Sequence, residues 1–533
     1  MKNWKLTASA LVAALVLAAC GGSSGGDPGS AGTQDTSGAR GSLLQNPPVR
    51  TTALSAVDFK SSLQATATGK GLLAVAGTPL CDIDVQYIQY GTVGALDEKT
   101  TASGALMTPS GADPKCNGPL PIVLYAHGTN ITKSLNMAAL NDSTNAIYSE
   151  AVLVAAMYAA QGYIVVAPNY AGYDSSTLGY HPYLNADQSS KEMIDILAAS
   201  KKALPGLLNP KTTNGKLFIT GYSQGGHVAM ATHRAMQTAG ITVTAAAPMS
   251  GPYALAAQGD ATFYGNVNAG STIFTPLLTA SYQKAYGNIY TTPSDLYETA
   301  YASGIETLLP GDYNFGNVFS SGKLPQLALF SSTPPTAPAG SPPSLQPTLN
   351  AISPPVTGSA TDALFAAGFG SGNLIKNSAR LSYVADALTN PDGLVALTGP
   401  STGAPATNPQ NPLRIAGKKN DLRNWKPAAP VLLCGGNGDP TVFFNVNTQG
   451  MQGLWSNPAS PLVLPAGLLT VVDVDSAPAS AADPFAAAKV GFGQAKAAAF
   501  TAGGVAGVVG SYHGGLVPPF CNAVARGFFS QFK

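Results

Sequence analysis

The chain has 533 residues, 45% of them apolar, with 28 basic and 27 acidic side chains and a formal charge of +1. That is enough for large cores and for more than one domain, and a near-neutral balance without basic runs argues against a nucleic-acid partner. Charged residues make up only 10%, well under the roughly 25% of ordinary soluble chains, so the surface must be built from Ser, Thr, Asn, Gln, Gly and Ala, as suits an exported protein.

Met1–Lys5 is a short basic region, and Leu6–Ala19 is an apolar run too short to span a bilayer. It ends in Leu17-Ala18-Ala19-Cys20, which resembles a bacterial lipobox. That resemblance implies a signal peptide over 1–19 and a membrane anchor through lipid on Cys20. Gly21, where an aspartate would resemble an inner-membrane retention signal, favours the outer membrane; the expected location is the cell envelope, with secretion as the alternative. Residues 20–50, rich in Gly, Ser, Asp and Thr, read as a tether that cannot bury a core. Cys81, Cys116, Cys434 and Cys521 remain, an even number that fits two disulfides in an exported chain. Three connectivities are open. Cys81 and Cys116 flank a pair of strands, Cys434 ends a strand and Cys521 follows the last histidine, which favours Cys81–Cys116 and Cys434–Cys521 over four buried thiols.

Asp84–Gly94 alternates like an exposed strand, and Thr101–Met107 can pair with it. Pro121–Ala126 is a continuous apolar run ending at His127-Gly128-Thr129. The pattern then predicts a helix over 145–161 stopped by Gly162, a buried strand over 163–167 and a helix over 189–204. Lys216–Thr220 is a further buried strand, Gly226–Gln237 a helix and Val243–Pro248 the next strand. Strands alternating with helices argue for an α/β fold, with a mostly parallel sheet covered on both faces.

After Ser250 the rhythm breaks, and the next buried strand is Ala429–Cys434. Two βα units of roughly 30 residues would suffice to carry the chain that far, and it spends far more. The division is therefore a core over 51–255 and 426–533, with a cap inserted over 256–425. Within the cap, Leu296–Leu309 and Ala360–Phe369 read as short helices, and the Pro/Ser/Thr/Ala-rich stretch 331–358 as irregular. Leu468–Val474 is the last strand and Leu516–Phe532 the closing helix.

Gly221-Tyr222-Ser223-Gln224-Gly225 lies between a strand and a helix, the context in which G-x-S-x-G forms a nucleophile elbow. The same string occurs at 21–25, 22–26 and 399–403, in each case without a strand before it and a helix after it. A serine hydroxyl needs a base and a group to orient that base, and in elbow hydrolases the chain order is Ser, then Asp or Glu, then His. Of the five histidines, only His513 follows the late strand that should supply the acid; it sits in Ser511–Gly515, read as a flexible loop. Asp439, in the Gly-rich loop after Ala429–Cys434, is the preferred acid, with Asp473 and Asp475 as competitors and an Asx turn before Pro440 as its plainer role. His227 and His233, on the helix behind Ser223, read as packing or solvent-facing; with no H-E-x-x-H pattern, no metal site is expected. The oxyanion hole needs two backbone N–H groups: Gln224 for one, and Thr129 for the other, on a loop whose shape His127 and Gly128 support.

These residues resemble the α/β-hydrolases, and within them the chain is similar to secretory lipases and related exported esterases. The resemblance rests on His127-Gly128-Thr129, Ala167-Pro168-Asn169-Tyr170, Tyr180–Leu184, Gly221–Gly226, Asn420-Asp421-Leu422 with Trp425, Asp439 and His513-Gly514-Gly515. It covers about 70–255 and 412–533 and leaves the cap unmatched. Asn169 stands where relatives often carry aspartate, so no catalytic role is expected of it, and His181 reads as structural. The resemblance implies hydrolysis of a small-molecule or lipid-like ester through an acyl-enzyme, without a cofactor, by a monomer. A prolyl-oligopeptidase-like peptidase or amidase is the rival, although residues 20–70 are too few for the usual propeller. The elbow also resembles that of cutinases and polyester depolymerases. A non-catalytic surface-binding lipoprotein is least favoured, because all three triad positions are filled.

Overall fold

The computed structural model describes residues 38–356, 358, 361–397 and 402–533. The expected signal peptide, Cys20 and most of the expected tether lie outside the described residues, as do Ala360 and two of the three stray G-x-S-x-G strings. Residues 41–50 are not part of a free tether: Ser42 and Leu43 are buried, and Leu43 bridges Tyr90.

Nine strands form one sheet: β1 (Val49–Leu54), β2 (Asp82–Val93), β3 (Lys99–Ser110), β4 (Pro119–Ala126), β5 (Ile164–Pro168), β6 (Thr212–Tyr222), β7 (Ala245–Met249), β8 (Val431–Gly435) and β9 (Leu469–Asp473). Their order is β1-β2-β3-β5-β4-β6-β7-β8-β9. The first three are antiparallel and join β5 antiparallel; from β5 to β9 every pairing is parallel. β4, β5, β7, β8 and the Leu217–Tyr222 half of β6 are nearly all buried, as continuous apolar runs in a two-face-covered sheet should be. β2 is the exception to its expected exposure. It lies between two strands, and the Ala186–Ala203 helix covers it through bonds from Tyr90 to Glu192 (3.0 Å), Thr92 to Asp195 (2.8 Å) and Gln188 to the Val93 carbonyl (3.0 Å).

The Ala186–Ala203 and Gln224–Thr238 helices pack together against the sheet. Val517–Phe529 packs with Tyr148–Met157 and Ala67–Ala76, and Phe218 of β6 stacks on Phe529 at 4.6 Å. The helix expected over 145–161 is shorter, Tyr148–Met157, followed by a tight turn to Gly162 at φ 87°. The helical stretch Ala486–Ser511, broken by a kink at Gly504, and the N-terminal helices Ala56–Gln64 and Ala67–Ala76 were not expected.

The segment between β7 and β8 adds no strand to the sheet and builds its own apolar core, around Phe263, Ile273, Phe330, Leu349 and Tyr383. Leu296–Leu309 is not one helix but short turns at Thr299–Ala302 and Ile305–Thr307. Stretch 331–358 is largely irregular yet holds the helix Leu345–Ala351. Two buried arginines lock this segment: Arg414 binds Asp260 (2.7 Å) and Asp386 (2.8 Å), and Arg423 binds Asp392 (2.6 Å) and Asp421 (2.8 Å). Both disulfides have the expected pairing, Cys81–Cys116 and Cys434–Cys521. The second ties the end of β8 to the closing helix.

Replacing Arg423 by Ala strands two fully buried carboxylates and should cost about 3–5 kcal/mol, read as a lower urea midpoint; an unchanged midpoint would show that the network does not hold the segment.

Candidate active site

Register brings the carboxyl ends of the central strands side by side: Ala126 opposite Gly221, Tyr222 opposite Met249, Met249 opposite Cys434 and Gly435 opposite Asp473. The loops that follow therefore emerge at one edge, where parallel sheets bind ligands. Ser223 sits at the turn between β6 and the Gln224–Thr238 helix with φ 60° and ψ −122°, a strained conformation for a residue with a Cβ. Its N–H donates to the Met249 carbonyl (3.0 Å), and its own carbonyl accepts from Gly226 (2.8 Å). The flanking glycines are obligatory, since a Cβ on Gly221 or Gly225 would overlap the Ala126 carbonyl.

His513 does not lie in a flexible loop. It occupies a π-type turn, Tyr512–Leu516, joining two helices. Its Nε2 is 2.8 Å from Ser223 Oγ and its Nδ1 is 2.7 Å from Asp439 Oδ2. The carboxylate accepts the Nδ1 proton, which leaves Nε2 to accept from the serine hydroxyl. The turn is pinned from both sides. Tyr222 donates to the His513 carbonyl (2.5 Å), while Tyr512 donates to Asp475 (2.6 Å) and accepts from the Gly438 N–H (2.9 Å).

Asp439 makes the contacts of both readings. Oδ2 meets His513, and Oδ1 accepts from the N–H groups of Thr441 (2.9 Å) and Val442 (3.1 Å), which fixes the carboxylate plane. Asp475 instead pairs with Lys496 (2.6 Å), and Asp473 accepts from the Asn437 N–H (3.1 Å). The two competitors thus hold the acid loop in place.

Gly128 donates its N–H to Glu150 (3.0 Å), as does the Tyr125 hydroxyl (2.9 Å). Among the described residues none accepts from the N–H of Thr129 or Gln224, the two amides expected to face a developing oxyanion. Thr129 Oγ1 meets the Tyr183 hydroxyl at 2.8 Å. His127 is buried with its ring 4.2 Å from that of Tyr170, so it supports the loop. Asn169 is also structural, accepting from the Met137 N–H (2.7 Å) and donating to Ser103 (2.9 Å). His181 donates from Nδ1 to the Ala171 carbonyl (3.0 Å) and accepts at Nε2 from the Gln224 side chain (2.7 Å). Glu150 lies in no motif, and Tyr222 and Tyr512 stand beside Ser223 and His513 at positions to which the motifs assign no role. An apolar pocket opens at Ser223, walled by Leu255, Phe263, Phe274, Leu278, Leu413 and Val442.

The other four histidines are buried, and desolvation pushes them down from 6.5, to about 4 for His127, His227 and His233 and about 3 for His181. Neither His227 nor His233 faces solvent. Burial pushes Glu150 and Glu192 up from 4.5 to about 7. The depressed imidazoles give stability that is present above pH 6.5 and lost as pH falls toward 4, because the unfolded chain gains protons the native state refuses. The two glutamates act oppositely, favouring the fold below 4.5 and losing that effect through 7. Four groups outweigh two between those limits, so the urea midpoint should fall from pH 6.5 to 4.5. A midpoint that rises over that window would contradict the assignment.

Neither a protein-family model nor a curated protein matches the chain. Among solved structures, it is similar to the rice cell wall degrading esterase LipA from Xanthomonas oryzae, at 24% identity and TM-score 0.63, over 93% of this chain and 100% of that one. A ligand-bound form of that esterase gives 23% and 0.62 over the same shares. A protein from Legionella pneumophila gives 18% and 0.55, over 91% and 96%. The likeness is one of fold.

Proposed function

We propose that this chain, whose fold is that of the α/β-hydrolases, is a serine carboxylic-ester hydrolase working through an acyl-enzyme on Ser223. The observation that carries the reading is the unbroken line Ser223 Oγ, His513, Asp439, with contacts of 2.8 and 2.7 Å. Ser223 Oγ attacks the acyl carbon while its proton passes to His513 Nε2, and Asp439 holds the imidazolium that forms. The carbonyl π electrons move onto oxygen, where the N–H groups of Thr129 and Gln224 receive the negative charge. Collapse of the tetrahedral adduct breaks the bond to the alcohol, which leaves with the proton from His513. Water then repeats the sequence on the acyl-enzyme, releasing the acid and restoring Ser223.

Glu150 supports the oxyanion loop by fixing the Gly128 peptide, which leaves the next amide, that of Thr129, free for substrate. The segment over 256–425 is the cap, and the helix Leu255–Phe263 that leads into it forms one wall of the pocket. The esterase name of the Xanthomonas oryzae protein describes that protein; the reading for this chain rests on its own side chains.

Replacing Ser223 by Ala should reduce nitrophenyl-ester hydrolysis by at least about 10⁴-fold with an unchanged urea midpoint. Retained turnover in that variant would remove Ser223 as the nucleophile. Turnover of matched anilides faster than esters would favour an amidase instead.

A further inference from the structure

Two side chains of one short segment, Tyr180–Leu184, reach both of the residues whose amides are proposed for the oxyanion. The Tyr183 hydroxyl meets Thr129 Oγ1 at 2.8 Å, and His181 accepts at Nε2 from the Gln224 side chain at 2.7 Å. The Tyr183 N–H donates to the His181 carbonyl (2.8 Å), and the two rings meet edge to face at 6.0 Å. Thr129 follows β4 and Gln224 follows β6. Two side chains only two residues apart thus span from one to the other.

The segment is itself held. His181 Nδ1 donates to the Ala171 carbonyl (3.0 Å), and its ring stacks on Tyr170 at 5.5 Å. Burial pushes His181 down to about 3, so Nε2 stays unprotonated and able to accept at neutral pH. Leu184 has φ 50°, a conformation that a bulky residue keeps only when its surroundings enforce it. Its carbonyl accepts from Tyr282 (3.2 Å) on the helix Ser271–Tyr286. Through Glu150 on Gly128 and Tyr183 on Thr129, side chains from two separate segments grip two successive residues of the loop.

Oxyanion donors must be held within about 0.5 Å of the productive geometry by neighbours that are themselves locked. We infer that Tyr183 and His181 are positioning residues that set the spacing of the Thr129 and Gln224 amides, so that both meet the oxyanion together. Each acts through the side chain of the residue that carries the donor. This rests on the ester-hydrolase reading of Ser223 and deepens it.

Tyr183→Phe removes one hydroxyl and keeps the ring. On nitrophenyl esters, kcat should fall about tenfold with KM within about twofold of the native value, because the donors serve the tetrahedral adduct more than the bound ester. Removing a donor outright costs more, about 10²–10³-fold. Butylboronic acid, which forms a tetrahedral adduct on a serine hydroxyl, should bind more weakly by the same factor as kcat falls. Thr129→Val breaks the same bond from its other end, and the double variant should lose no more than about twofold beyond the larger single loss. If Tyr183→Phe does not fold, Thr129→Val alone gives the same comparison of kcat, KM and boronate affinity. Unchanged kcat and boronate affinity in a folded single variant, a loss confined to KM, or losses that multiply in the double variant would overturn the inference while ester hydrolysis stands. No turnover of any ester by the native protein would instead remove the underlying reading.

Discussion

The backbone of Ser223, held at φ 60° between a strand and a helix, is the constraint on which the rest of this active edge depends. A residue with a side chain adopts that conformation only when its surroundings over-determine it. Here the surroundings are the end of β4 and the first turn of the Gln224–Thr238 helix, brought so close that Gly221 and Gly225 cannot carry a Cβ. The same closeness puts the loop after β4 beside the serine: a Cβ on Gly128 would lie within 3.7 Å of Ser223 Cβ. Parallel pairing of β4 with β6 then sets the height of that point at the sheet edge.

His513 and Asp439, the proposed base and acid, arrive from far away in sequence and are held by a separate set of ties. Cys434–Cys521 links the strand before Asp439 to the helix after His513. Tyr512 clamps Gly438 to Asp475, and Tyr222 anchors the carbonyl of His513. His513 consequently sits on a helical turn tied on both sides, which suits the proton shuttle proposed for it. The segment between β7 and β8 completes the site by supplying the pocket wall, and its buried arginine networks keep that wall in place.

The sequence was most readable where local chemistry is restrictive. The elbow glycines, the apolar runs of β4 and β6 and the order Ser223, Asp439, His513 follow from steric or connectivity rules, and the positions of the cysteines beside strands favoured the two pairs that form. It was least readable where tertiary packing decides. β2 alternates as if one face met solvent, yet the Ala186–Ala203 helix covers it. The Ala486–Ser511 helix is rich in Ala and Gly and has a weak polar stripe, so no periodicity marks it, and His513 consequently looked like part of a loop. Glu150 belongs to no motif; its bonds to the Gly128 N–H and the Tyr125 hydroxyl join residues distant in sequence that only folding brings together.

The central claim is that Ser223, activated by His513 and Asp439, is the nucleophile. Incubating the folded protein with a fluorophosphonate and measuring intact and peptide masses tests it most directly. The account predicts one adduct per chain, located on the peptide containing Ser223 and absent after unfolding in urea. An unmodified folded protein, or an adduct on a different serine, would contradict it.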